Sequence, residues 1–316
     1  MFNIQKNILL APYTTFRIGG PAKYFAEAES VEEIEKLCEW AKNQPTGELP
    51  IFVLGGGSNV LVSDKGFCGL VIKIKSSEIK ILDSEIYADA GASLTKVVIE
   101  SAKAGLSGFE WGIGIPGTIG GAVCGNAGAF GKATSDAVKT IKALDLKNGK
   151  VLYFSKNECD FCYRDSMFKN NSDFFILGAI FSLKRKNKDS IDKDMKQYVK
   201  ERSEAHVKGC SAGCFFKNVE WKRKDLDKDK IFQKFPELKK YSEMPKIPAG
   251  FLIDSVGLKG KKIGGAKIAE EHANFIVNEE NATADEVMML AGMVKDRISS
   301  KYGFSLEEET VLVGFD

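Results

Sequence analysis

Gly112-Ile-Gly-Ile-Pro-Gly-Thr-Ile-Gly-Gly-Ala-Val-Cys-Gly-Asn-Ala-Gly-Ala-Phe-Gly131 holds eight glycines and three alanines in 20 residues, and no charge. The uncharged run between Glu110 and Lys132 is 21 residues long, about the length of a membrane span. A lipid-spanning helix would need many more Leu, Ile and Phe. Glycine at this density, with Pro116 and Asn126, would leave backbone polar groups unpaired in hydrocarbon. The run therefore reads as backbone deliberately exposed: glycine permits positive φ and lacks the Cβ that would hold a ligand off the chain. Exposed N–H groups in such turns form nests for anions, phosphates above all.

A second turn of this kind lies upstream. Pro50–Leu54 reads as an apolar buried strand that runs into Gly55-Gly-Gly-Ser-Asn59 and on to Val60–Val62. This is neither the G-x-G-x-x-G of a Rossmann fold nor a Walker A loop, which needs G-K-[ST]. Two glycine-rich turns in consecutive α+β units suit an extended diphosphate ligand. If that ligand were a flavin or a nicotinamide, the cofactor would carry the redox chemistry and the protein would supply position and protons.

Elements on either side support a mixed α+β chain. Lys23–Ala28 reads as a strand. Ser30-x-x-Glu33 is a capping box before Val31, Ile34, Leu37, Cys38 and Ala41 at helical spacing. Strands follow at 79–90 around Asp83-Ser84. A helix over Ser93–Ala104 would bury Leu94, Val97, Val98 and Ala102. Further strands are expected at 139–146, 150–154 and 174–183, and a polar helix at 189–205. Beyond it come helices near 225–235 and 249–256, a strand at 274–278, and a capping box at Thr283-x-x-Glu286. The helix that box opens would bury Val287, Leu290, Ala291, Val294 and Ile298; a strand at 310–313 closes the chain.

Composition excludes several classes. The 316 residues are 44% hydrophobic and 28% charged, with mean hydropathy −0.15 and net charge +2, so no electrostatic nucleic-acid footprint is present. The runs Lys184–Lys186 and Lys222–Lys224 read as solvated faces. The opening MFNIQKNILLAPYTTF lacks a signal-peptide pattern, and the seven cysteines are an odd, scattered set, so a reducing cytoplasm is expected. Cys159-x-x-Cys162 with Cys210-x-x-x-Cys214 could be written as a four-thiolate zinc site, but the flanking knuckle glycines are missing and no metal is expected.

Three residues could carry chemistry. Arg164, in Tyr163-Arg-Asp-Ser166, could clamp a carboxylate or form a surface ion pair with Asp165. Cys214 lies in Ser211-Ala-Gly-Cys-Phe-Phe-Lys-Asn218, where small residues expose backbone and Lys217 and Asn218 offer polar reach; a buried, inert thiol is the alternative. Glu309 ends a run of three glutamates, by default a solvated cluster.

These segments, in this order, resemble the UDP-N-acetylenolpyruvoylglucosamine reductases. The resemblance runs through Thr14–Ala22, Leu54–Val62, Gly114–Gly121 with Asn126-Ala-Gly128, Tyr163–Ser166, Ser211–Asn218, Gly257–Gly260, Ile263–Ala266 and His272–Asn278. It implies an α+β protein: a two-domain FAD-binding module of the vanillyl-alcohol-oxidase type (residues 1–75 and 76–205), then a C-terminal α+β substrate domain (206–316). It implies noncovalent FAD, NADPH as reductant, and a UDP-sugar substrate whose enolpyruvyl group is reduced in peptidoglycan precursor synthesis. No nucleic-acid or membrane partner is implied, and a monomer is expected.

By the same resemblance, Arg17, Gly55, Gly56, Gly57, Ser58 and Asn59 would bind the cofactor with Pro116, Gly117, Thr118, Gly120, Gly121, Ala122, Asn126, Ala127 and Gly128. Tyr163, Arg164, Lys217 and Asn218 would bind substrate. Arg164, Cys214 and Glu309 would be catalytic: Arg164 on the substrate carboxylate where enolate charge grows, and Cys214 in the place where many members have serine as proton donor to C2. Tyr13 stands where asparagine is common and Val219 where proline is. Glu-Glu-Glu-Thr replaces the usual Glu-Pro-Glu-Val, so Glu309 is chosen over Glu307 by counting back from Gly314. Arg164 and Cys214 are 50 residues apart, too close for the tyrosine-bearing flap of one subtype. A flavin oxidase of the same cofactor-domain superfamily is the alternative, but such enzymes often tether FAD through His or Cys. The two histidines, His206 and His272, lie outside the glycine-rich turns.

Overall fold

The structure, a computed structural model, describes residues 3–171, 173–204 and 207–315; His206 lies outside them. The chain forms two compact units, and neither is continuous in sequence. The first takes residues 1–8, 22–57 and 67–204, the second 9–21, 58–66 and 205–316.

The first unit is built on two sheets. One is four-stranded, in the order Gln5–Leu9, Pro21–Ala28, Phe67–Ile74, Ile51–Leu54, with the last two strands parallel to each other. The expected strand at Pro50–Leu54 is there as Ile51–Leu54, but only Leu54 is fully buried. It is the sheet's edge, and Val53 is 40% exposed. The second sheet is five-stranded and antiparallel, in the order Lys150–Ser155, Val138–Asp145, Phe174–Ser182, Glu85–Asp89, Ile79–Leu82.

Helix Val31–Lys42 begins at Ser30, whose side chain accepts from the Glu33 N–H; Glu33 returns the bond to the N–H of Glu29, one residue before the cap. Helix Leu94–Lys103 buries Leu94, Val97, Val98 and Ser101. Ser101 takes the core position expected of Ala102, because its hydroxyl donates to the Val98 carbonyl and leaves no unpaired group. The polar helix is Lys188–Glu204.

In the second unit, helix Ala284–Tyr302 has the expected Thr283–Glu286 capping box, with both reciprocal bonds made, and ends at Gly303 in the left-handed region. Val287, Leu290, Ala291, Val294 and Ile298 are all buried. Each of the larger side chains contributes about 1.5–3 kcal/mol of transfer free energy. They pack in one core with Phe16, Ile18, Leu61, Phe215 and Phe216. Asp64 supports the same helix: its two carboxylate oxygens accept from the N–H groups of Ala284 and Asp285 at 3.0 and 3.1 Å. The closing strand Val311–Val313 pairs in parallel with Val60–Val62. No helix among the described residues is long and apolar enough to cross a membrane.

Candidate active site

The expected site residues divide between the units. Gly55–Gly57, Pro116–Ala122, Asn126–Gly128, Tyr163 and Arg164 belong to the first; Arg17, Ser58, Asn59, Cys214, Lys217, Asn218 and Glu309 belong to the second.

In the first unit the two glycine-rich turns touch. A Cβ at Gly56 would fall 2.8 Å from the Gly117 Cα, and one at Gly55 would fall 2.5 Å from the Thr118 hydroxyl. Gly57 and Gly117 have positive φ (65° and 140°). Thr118 caps the short helix Ile119–Cys124. The first two N–H groups of that helix, Ile119 and Gly120, are taken by the carbonyls of Ala92 and Ala90. Packing accounts for some of the glycines: a Cβ at Gly120 would press on Ala90 at 3.0 Å, and one at Gly128 would strike the Lys132 carbonyl. Gly121 is different. It is exposed, and its nearest neighbour would be 3.7 Å from an added Cβ, so no protein contact demands glycine there.

The first unit also holds a tight turn. Cys162 and Asp165 exchange backbone bonds, with N–H to O distances of 3.1 and 3.3 Å, and Tyr163 and Arg164 occupy the turn between them. Arg164 has φ 58°, a left-handed conformation that costs a side-chain-bearing residue about 1–2 kcal/mol. Asp83, Phe130 and Asp160 of the same unit share this conformation. The turn is anchored at both ends. Asn126, buried, donates through Nδ2 to the Cys162 carbonyl at 2.8 Å and accepts through Oδ1 from the Ser135 N–H at 3.1 Å. Ser166 Oγ donates to the Cys124 carbonyl at 2.7 Å.

In the second unit, the segment bearing Cys214 is held by Asn274. This asparagine is 2% exposed; its Nδ2 donates to the Phe216 carbonyl, its Oδ1 accepts from the Phe216 N–H, and its own carbonyl accepts from the Phe215 N–H. The C-terminal segment comes to the same place. The Glu309 N–H donates to the Phe215 carbonyl at 2.8 Å, and Asn59 Nδ2 donates to the Glu309 carbonyl at 3.2 Å. Cys214 and Glu309 thus meet on adjoining backbone. Lys217 lies 3.6 Å from Glu307, and Asn218 Oδ1 accepts from the Ala249 N–H, capping the helix Ala249–Ser255. Arg17 is exposed, also left-handed (φ 58°), and donates to the Pro12 carbonyl at 2.7 Å.

Other residues emerge only from the structure. Arg223 is not on a solvated face: it makes a two-point pair with Asp225, donates to the Ser305 carbonyl and lies 3.7 Å from Glu307. Lys295 pairs with Glu308 at 2.9 Å. Lys73 sits beneath the Gly55 turn, donating to the Gly55 carbonyl, with its pKa lowered first by burial and then by Lys75. Cys159 is buried, which pushes its thiol up to about 12, whereas Cys162 is exposed. No cluster of three His, Cys, Asp or Glu side chains among the described residues could hold a metal ion.

Residues 22–155 match the family described as FAD binding domain. Residues 205–313 match the C-terminal domain of UDP-N-acetylenolpyruvoylglucosamine reductase. Proteins of that name from Chlamydia felis and Syntrophomonas wolfei are 36% and 34% identical, over 99% and 98% of this chain and 96% and 95% of theirs. The chain belongs to the UDP-N-acetylenolpyruvoylglucosamine reductase family. The crystal structure of the reductase from Thermus caldophilus superposes with a TM-score of 0.78 at 32% identity, covering 99% of this chain and all of that one. Membership fixes the FAD-dependent oxidoreductase class and the α+β fold expected from the sequence. It also turns attention to the touching turns at Gly56 and Gly117, which both fall inside the FAD-binding match.

Proposed function

We propose that this chain reduces UDP-N-acetylglucosamine enolpyruvate to UDP-N-acetylmuramate with NADPH and noncovalent FAD, supplying a peptidoglycan precursor, and that it works as a cytoplasmic monomer. The observation that carries the reading is the Glu309 N–H to Phe215 carbonyl bond, which brings the C-terminal glutamate to the residue next to Cys214. Residues 1–75 and 76–205 would be the cofactor subdomains and 206–316 the substrate domain.

The first unit is suited to the cofactor. Its two turns leave close-set backbone where a Cβ cannot be accommodated, and Gly121 adds an exposed position that no protein neighbour explains. FAD, when bound, supplies the hydride relay from NADPH to the enolpyruvyl carbon. The chain's own residues manage charge and protons. Arg164 holds the substrate carboxylate, where negative charge grows as the enolate forms. The Cys214 thiol gives its proton to C2. A thiol is a stronger acid than the serine hydroxyl, and it can donate so long as it remains protonated. Glu309 is the glutamate of the reaction, and Lys217 and Asn218 bind the nucleotide-sugar diphosphate.

The test is NADPH oxidation by the purified protein with and without the enolpyruvyl substrate. Oxidation that depends on this substrate, with flavin released into the supernatant on acid precipitation, is the expected result. Turnover independent of it, or a pellet that stays yellow, would overturn the reading.

A further inference from the structure

Lys73 lies on strand Phe67–Ile74, between Glu27 of one neighbouring strand and Leu54 of the other. Its ammonium is half-buried and donates to the carbonyl of Gly55, the first residue of the glycine turn. Glu27 is in register with it but lies 3.5 Å from the Lys75 ammonium, on the next residue but one. A lysine charge is thus kept under the turn at a desolvation cost, which burial registers by lowering its pKa.

The peptide plane gives this contact a consequence. A trans peptide points its carbonyl and its N–H to opposite sides. Holding the Gly55 carbonyl toward Lys73 therefore turns the Gly56 N–H the other way. Gly56 is exposed, and its backbone stands against Gly117, where the two turns meet. A peptide between two glycines is the easiest kind to flip, because both residues tolerate either sign of φ. A flipped Gly55–Gly56 peptide would aim its N–H at the ammonium and its carbonyl at an approaching anion, both unfavourable.

We infer that Lys73 is a positioning residue for the cofactor diphosphate: it locks the Gly55–Gly56 peptide so that the Gly56 N–H is presented to phosphate oxygens, and adds positive charge behind it. The inference rests on the FAD reading above. It concerns the phosphates alone, so it separates ligands that carry a diphosphate from those that do not.

The test is fluorescence titration of the deflavinated full chain with FAD and with riboflavin, for the native protein, Lys73→Met and Lys73→Arg. Thermal melts of each apoprotein accompany the titrations. Lys73→Met is expected to weaken FAD binding about tenfold to a hundredfold, the range of a charge-assisted hydrogen bond, and to leave riboflavin binding within about twofold. Lys73→Arg keeps a donor and a charge and is expected to recover most of the FAD affinity. Equal FAD affinity in Lys73→Met, equal losses for both ligands, or a loss in Lys73→Arg as large as in Lys73→Met would each overturn the inference. Native protein that binds neither ligand would instead overturn the FAD reading itself.

Discussion

Asn126 Nδ2 donates to the carbonyl of Cys162 over 2.8 Å, and this bond ties the glycine-rich stretch to the turn that carries Arg164. Both partners of the Asn126 amide are backbone groups, so its work is to shape the chain around it. Asn126→Leu would take the Asn126 acceptor from the Ser135 N–H and leave the Cys162 carbonyl with the Asp165 N–H alone. It is expected to cost about 1–3 kcal/mol, read in urea unfolding, and to raise KM for the enolpyruvyl substrate while flavin reduction by NADPH proceeds normally. An unchanged KM in the destabilised variant would separate Asn126 from the arginine turn.

Arg164 pays for its place with an unfavourable φ of 58°. Glycine carries no such penalty there, whereas alanine does. Arg164→Gly is therefore expected to be about 1 kcal/mol more stable than Arg164→Ala, with both losing substrate reduction about equally. Equal melting of the two variants would show that the turn relaxes when the arginine is removed.

Cys214 separates the half-reactions. Cys214→Ser is expected to keep substantial activity, because a hydroxyl can donate the same proton. Cys214→Ala is expected to lose reoxidation of the flavin by substrate while NADPH still reduces it. Stopped-flow traces with normal reoxidation in the alanine variant would remove Cys214 from the mechanism.

The glutamates are expected to behave differently despite their adjacency. Glu307 is 59% exposed at its side chain and forms only loose pairs, at 3.6 and 3.7 Å, so Glu307→Gln is expected to change stability by less than about 1 kcal/mol and kcat little. Glu309→Gln is expected to lower kcat by about a hundredfold or more, the scale of a lost acid–base group. The reverse ranking in steady-state assays would assign the role to Glu307.

His272 gives the second unit a pH dependence. Burial lowers its pKa below the ordinary 6.5, and its Nδ1 accepts from the Asn274 N–H. Above pH 6.5 the ring is neutral in both folded and unfolded chains and adds no slope. As pH falls below 6.5 the unfolded chain takes up the proton first, so stability falls. Melting temperature is expected to drop between pH 7 and pH 5, and less steeply in His272→Gln. An identical slope in the variant would place the effect elsewhere.

The sequence made helices and turns legible where the signal is local. Thr283 and Glu286 announce the cap, and the spacing of Val287 to Ile298 announces the buried face, because both depend only on helical periodicity. The glycine-rich stretch was equally plain, but its glycines serve mixed ends: Gly120 and Gly128 answer to neighbouring backbone, Gly121 to none. No local pattern could mark Asn126 or Asn274 as backbone staples, since their partners lie 36 and 58 residues away. Arg223 was misread for the same reason, its carbonyl partner Ser305 being 82 residues distant. Lys73 is one polar residue on an apolar strand that no motif singled out, and its meaning appears only with the Gly55 carbonyl above it.

The pairing of Val60–Val62 with Val311–Val313, with Asp64 capping a helix 220 residues away, bears on how the protein is made. During synthesis the ribosome delivers residues 9–21 and 58–66 long before the body they complete. The two segments can bond to each other, Gly20 N–H to the Ser63 carbonyl, but Val60–Val62 lacks its strand partner until Val311–Val313 emerges. Truncation of even the final few residues would strip Val60–Val62 of its partner strand, and a fragment beginning at residue 205 would lack both the Asp64 cap and the Phe16, Ile18 and Leu61 side chains of its own core. Long-range closure of this kind is slow to form.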